Sequence, residues 1–153
     1  MKSKVFFCLC ILLSIFSLLA AAPVLSQEQS PDYFFEVLKI PNISGDWSGA
    51  WIGDTYGGSG ALFITVSQRG SKISGKLDVR DTDCGDLYDV PFTGTISRNV
   101  VNFKIKTSCE GHRVEMKFTK GKLSSNNRRM DGPYNTYVDG GLYDRGTFYL
   151  NKE

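Results

Sequence analysis

The sequence predicts an all-β fold: an eight-stranded antiparallel up-and-down barrel with a short N-terminal helix before it. Three observations carry that prediction. From Trp47 to Leu150 apolar and polar residues alternate in eight short runs, the period of strands with one buried and one wet face. No helical period interrupts the runs, so parallel crossovers are excluded and hairpins must join them. An open sheet of this size would leave two bare edges and an uncovered apolar face, and closure removes both. A two-sheet sandwich is the competing topology.

The strands follow from period-two counting. Trp47, Gly49 and Trp51 share one face of the first, and Leu62, Ile64 and Val66 one face of the second. Ile73, Leu77 and Val79 mark the third, Phe92 and Ile96 the fourth. Val101, Phe103 and Ile105 alternate with Asn102, Lys104 and Lys106 in the fifth; Val114, Met116 and Phe118 alternate with Glu115 and Lys117 in the sixth. Met130, Tyr134 and Thr136 form a weaker seventh, and Phe148 and Leu150 mark the eighth. This register predicts that Phe103 and Met116 point inward while Lys104 and Glu115 face water.

Connections of two kinds alternate along the chain. Ile52 to Gly60, Arg80 to Val90, Lys106 to His112 and Tyr137 to Arg145 are long, rich in glycine and acids, and as a group bear tyrosines. Turns centred on Gln68 to Lys72, Ser97 to Val100 and Lys120 to Arg128 carry base and no acid. Successive connections of a meander fall at opposite ends, so the acidic loops share one rim and the basic turns the other. Tyrosines in glycine-rich loops are residues that binding surfaces use. The acidic mouth is therefore the expected working end, with Asp54, Tyr56, Asp86, Tyr88, His112, Tyr137 and Tyr143 as its candidate ligand-binding residues.

The first residues read as an address. Lys2 and Lys4 precede an apolar stretch, and small residues follow to Ser26, which predicts a secretory signal over 1–26; a retained membrane anchor is the alternative. A segment over 27–44 follows, in which Ser30-Pro31-Asp32 starts a short helix and Pro41 ends it. The barrel domain is expected over 45–153, and no membrane span is expected after processing. Removing Lys2 and Lys4 from the 18 basic residues balances them against the 16 acids, so there is no electrostatic case for nucleic acid. Cys84 and Cys109 survive processing, and an oxidising compartment favours a bridge between them over two free thiols.

Gly45-x-Trp47-x-Gly49, Gln68-x-Gly70, Ser74-Gly75 and Gly146-x-Phe148-x-Leu150 together resemble the lipocalin and avidin barrels, the calycins. The resemblance spans about 105 residues and implies a single-domain barrel closed near its first tryptophan, with a small ligand admitted at the other end. It also implies a basic side chain of the last strand over Trp47; here the chain departs from the pattern, with Lys152 the nearest candidate at the right end and Arg145 at the other rim. The biotin-binding polar residues of avidins have no counterparts here, so no ligand is carried over.

Chemistry is otherwise sparse. His112 is the lone histidine, so neither a multi-histidine metal site nor a catalytic triad is available without unusual partners. Asp81 to Asp89 resembles a crude calcium loop but lacks the spacing and terminal glutamate of an EF-hand; turn-forming aspartates explain it more simply. No cofactor, metal or enzymatic activity is expected. Two functions stay open: a carrier of a small apolar or amphipathic ligand, given room by inward Gly75, Gly94 and Gly132 unless the inward Trp47, Trp51, Phe92, Phe103, Phe118 and Phe148 fill the barrel, and a secreted module that meets a protein through its mouth loops.

Overall fold

A computed structural model describes residues 40–153; the expected signal and helix lie outside them. The described chain is one closed antiparallel barrel in simple chain order. Its strands are β1 (Gly45–Gly53), β2 (Ser59–Arg69), β3 (Lys72–Thr82), β4 (Gly85–Ser97), β5 (Val100–Cys109), β6 (His112–Leu123), β7 (Arg129–Val138) and β8 (Gly141–Lys152). Closure is made by β1 on β8, from Trp47 opposite Lys152 to Gly53 opposite Gly146, which overturns the sandwich alternative. The period-two reading fixes the faces correctly. Phe103 and Met116 are buried, Lys104 is exposed, and Glu115 lies on the outer wall with Lys117.

At the acidic end the connections are shorter than the sequence reading drew them. The span from Arg80 to Val90 is nearly all strand, with Asp83 and Cys84 left to turn between β3 and β4. Glu110-Gly111 and Asp139-Gly140 make the next two turns, each with both residues left-handed (φ 51° and 88°, φ 48° and 89°). That pairing is the two-residue hairpin whose twist matches the strands it joins, and glycine at its second position carries no steric penalty. Bulges take up what remains. Between the pairs Leu77–Val90 and Val79–Leu87, β4 carries one extra residue, and Asp89 has φ 53°; nearer the turn β3 carries the extra, with Asp81 at φ 59°. Lys120, φ 55°, is the extra residue of β6 against both its neighbours, and its N–H donates to Asn102 Oδ1 at 2.8 Å.

Aromatic rings fill the middle of the barrel. Phe103 stacks on Phe118 with ring centres 4.4 Å apart, Phe148 meets both edge-on, and Phe92 lies 5.4 Å from Phe103. Of the two alternatives the sequence left open, the rings fill the barrel and the inward glycines do not open space among them. A Cβ on Gly94 would sit 2.7 Å from Phe103 Cβ, and one on Gly75 2.8 Å from the Phe92 ring. At Gly132 it would meet the backbone of Gly121 at 2.8 Å. Glycine at these points lets strands close in on the rings, so the interior is packed rather than hollow.

The basic-turn end is sealed. Trp47 Nε1 donates to Ile43 O at 2.9 Å, and Ile43, itself fully buried, donates its N–H to Gln68 Oε1 at 2.9 Å. Gln68 Nε2 in turn donates to Pro41 O and Gly70 O. The Lys152 ammonium lies 5.8 Å from the Trp47 ring centre, the placement that the calycin resemblance implied.

Candidate functional site in the barrel mouth

Above the aromatic layer a cavity of about 230 Å³ opens at the acidic rim. Its wall is largely apolar: Trp51, Leu87, Val114, Met116, Tyr134, Val138 and the Cys84–Cys109 bridge. Its edge is polar, with Asp83, Glu110, His112, Tyr143 and Asp144. The β1 and β7 aromatics of the floor are held by the ladder itself. Trp51 Nε1 donates to Arg80 O at 2.9 Å and the Trp51 ring meets Tyr134 edge-on. Gly60 permits this, since a Cβ there would lie 2.6 Å from the Trp51 nitrogen and 2.0 Å from Arg80 O.

Tyr134, 1 % exposed, donates its hydroxyl to Asp144 Oδ2 at 2.7 Å. Burial, and then this bond, push the hydroxyl's pKa far above its ordinary value, so it stays a donor. Burial alone would raise Asp144. The hydrogen bonds from Tyr134 and Thr55 outweigh it and hold the carboxyl below its usual range, so the cavity edge carries a fixed negative charge.

A chain of contacts ties the hairpins together around the mouth. Cys84–Cys109, with Cα atoms 5.7 Å apart, joins the β3–β4 hairpin to β5–β6. His112 Nδ1 lies 2.7 Å from Asp139 Oδ2, and Arg113 N–H donates to Asp139 Oδ1, which joins β5–β6 to β7–β8. Tyr143, just beyond the β7–β8 turn, donates to Asp83 Oδ2 at 2.8 Å across the mouth. Its ring centre is 5.2 Å from that of Tyr56, on the β1–β2 hairpin.

The hydrogen bond to Asp139, then the carboxylate's charge, raise the pKa of His112, while the His112 bond lowers that of Asp139. A raised histidine contributes fully below its ordinary value near 6.5 and loses its contribution as pH rises through the raised folded value. The carboxylate contributes above its ordinary value and fails as pH falls through its lowered one. The tie between the β5–β6 and β7–β8 hairpins is therefore expected to be tightest in mildly acidic solution. Amide exchange at Arg113, followed from pH 5 to 9 and corrected for intrinsic rates, should show protection decline through and above neutrality. Constant protection over that range counts against it.

The structure sorts the sequence-predicted residues into three groups. His112, Tyr143, Cys84 and Cys109 line the cavity. Asp54 and Tyr56 sit on the exposed β1–β2 hairpin above it. Asp86, Tyr88 and Tyr137 lie outside the cavity: Asp86 accepts from the Tyr88 hydroxyl at 2.8 Å, the Arg80 guanidinium covers Tyr88 and Phe63, and Lys117 lies 4.5 Å from the Tyr137 ring centre. The bulge at Asp89 explains Tyr88, because one extra residue turns Leu87 inward and its neighbour out. On β8 a second shift leaves Tyr143 as the extra residue between the pairs Thr136–Asp144 and Tyr137–Leu142, so Tyr143 and Asp144 both reach the cavity. Trp51, Leu87, Met116 and Tyr134 are site residues that loop composition did not single out.

The described chain is thus a closed eight-stranded antiparallel meander, sealed at its first tryptophan and open at the other end, the architecture that the calycin resemblance implied. The sequence matches no family model and no curated protein. Among solved structures, short afifavidin in complex with biotin is similar at 15 % identity and a TM-score of 0.40, over 79 % of this chain and 98 % of that one.

Proposed function

We propose that this is an exported, non-catalytic binding protein that holds a small amphipathic ligand in the mouth of its barrel. The observation that carries the reading is the cavity of about 230 Å³, apolar within and edged by carboxylates, which sits where four hairpins meet. It is smaller than the roughly 300–1,000 Å³ of pockets for drug-sized molecules, so its occupant is compact, with an apolar body and a polar or basic end at the rim. Export agrees with the Cys84–Cys109 bridge, which persists in oxidising compartments. A non-catalytic role agrees with the side-chain hydrogen bonds of the lone histidine, which among the described residues run to Asp139 and to no serine, threonine or cysteine nucleophile.

Calorimetric titration with phenethylamine, phenethyl alcohol and phenylacetate tests the reading. Saturable binding of the amine or the alcohol is expected, with phenylacetate weakest because of the rim carboxylates. Leu87→Trp, which adds bulk to the cavity wall, should abolish it while circular dichroism stays unchanged. No binding of any of the three, or full binding by the Trp variant, removes the mouth as the site.

The second reading, a module that docks a protein through its mouth loops, is favoured by the exposure of Tyr56 (66 %) and Leu142 (56 %) at the rim. Tyr56→Ala separates the two: it leaves a cavity ligand bound and weakens a docked protein.

A further inference from the structure

A second concavity of the described surface lies outside the mouth. It is a groove of about 990 Å³ on the outer wall of β2 to β6. Gly94 lies in it, at the point where β4 is drawn in against Phe103; the side chain that glycine lacks would have faced the packed interior. The inward glycine therefore hollows the outside of the barrel instead of the inside.

Four cations line the groove, Arg69, Lys72, Lys104 and Lys117, and no carboxylate does. Lys117 has Glu115 at 3.2 Å, while Arg69, Lys72 and Lys104 form no ion pair among the described residues. Lys104 and Lys117 stand directly opposite each other on β5 and β6. Like charges in that relation destabilise a sheet, and an anion between them would relieve the repulsion. Hydroxyl and amide side chains line it too, Ser67, Ser74, Thr93, Thr95, Thr119 and Asn102, over the buried Ile73, Phe103 and Phe118.

We propose that this groove binds a sulfated glycan chain, whose sulfates the cations would take and whose sugar hydroxyls the threonines, serines and Asn102 would take. Two observations separate this partner from other polyanions. The aromatic rings of the lining, Phe103 and Phe118, are buried, so no exposed ring is available to stack nucleobases. The face is concave and presents no large exposed apolar side chain, whereas a membrane-binding surface inserts apolar groups into the bilayer boundary.

Fluorescence anisotropy with a labelled heparin octasaccharide tests the proposal over a salt series. Saturable, salt-sensitive binding is expected, and Lys104→Gln/Lys117→Gln should weaken it and flatten the log–log salt slope by about two units. The same double variant removes the like-charge pair together with the outer-wall Lys117–Glu115 and Lys117–Tyr137 contacts, so it should unfold near the parent's temperature; a loss of affinity without a comparable loss of stability is the signature sought. Leu87→Trp, in the mouth, should leave octasaccharide binding unchanged, so the two sites stand or fall separately. The proposal is overturned if the octasaccharide does not bind at low salt, or if the double variant binds it as well as the parent does. It is equally overturned if single-stranded DNA of matched charge, or phosphatidylserine vesicles, bind this face more tightly.

Discussion

Phe103→Ala should destabilise the barrel by about 3–5 kcal/mol, a loss set by one buried ring packed against three others. Phe103 is 3 % exposed, stacks on Phe118 and lies within 5.8 Å of both Phe92 and Phe148, measured between ring centres. Its removal strips contacts from three rings at once, and the closed ladder around them limits collapse into the gap. Urea unfolding followed by far-ultraviolet circular dichroism measures this as a lower midpoint at unchanged slope. A loss under about 1 kcal/mol would mean that the interior repacks freely, and the account of a filled barrel would then be wrong.

Replacing both Cys84 and Cys109 by serine should cost about 3–4 kcal/mol in the chain-entropy model, since the bridge closes a loop between residues 25 apart. The two variants should differ in kind. Phe103→Ala weakens the fold and spares the mouth, so ligand affinity at a temperature where the variant remains folded should be nearly that of the parent. The double serine variant frees two of the four hairpins that frame the cavity, and affinity should fall along with stability, because ordering those hairpins then accompanies binding. Parallel denaturation and calorimetry on both variants test the contrast; equal affinity for the parent and the serine variant would detach the bridge from the site.

Where the strands are regular, the sequence was legible. Alternation placed Phe103 and Met116 inside and Lys104 outside, and the meander rule brought Cys84 and Cys109 to one rim. Both inferences need the period of two and nothing else. The rim itself was harder to read. Its tyrosines and aspartates were visible by composition, but which of them face the cavity depends on parity, and single extra residues at Asp89 and Tyr143 reset it. Both positions look like ordinary turn chemistry in the sequence, and Asp89 adopts positive φ without a glycine to announce it. The inward glycines were ambiguous in the sequence for a related reason. A missing side chain leaves either a void or a closer backbone, and only the positions of Phe92 and Phe103 decide between them.

The seal of Ile43, Trp47 and Gln68 at the far end has a kinetic consequence. A ligand held in the mouth as proposed would have the same path in and out, past Tyr143 and Asp83. Whatever stiffens that doorway slows arrival and departure together, so residence time can lengthen with no change in affinity. Tyr143→Phe, which deletes the bar across the opening, would then show itself in exchange rates before it showed itself in any equilibrium constant.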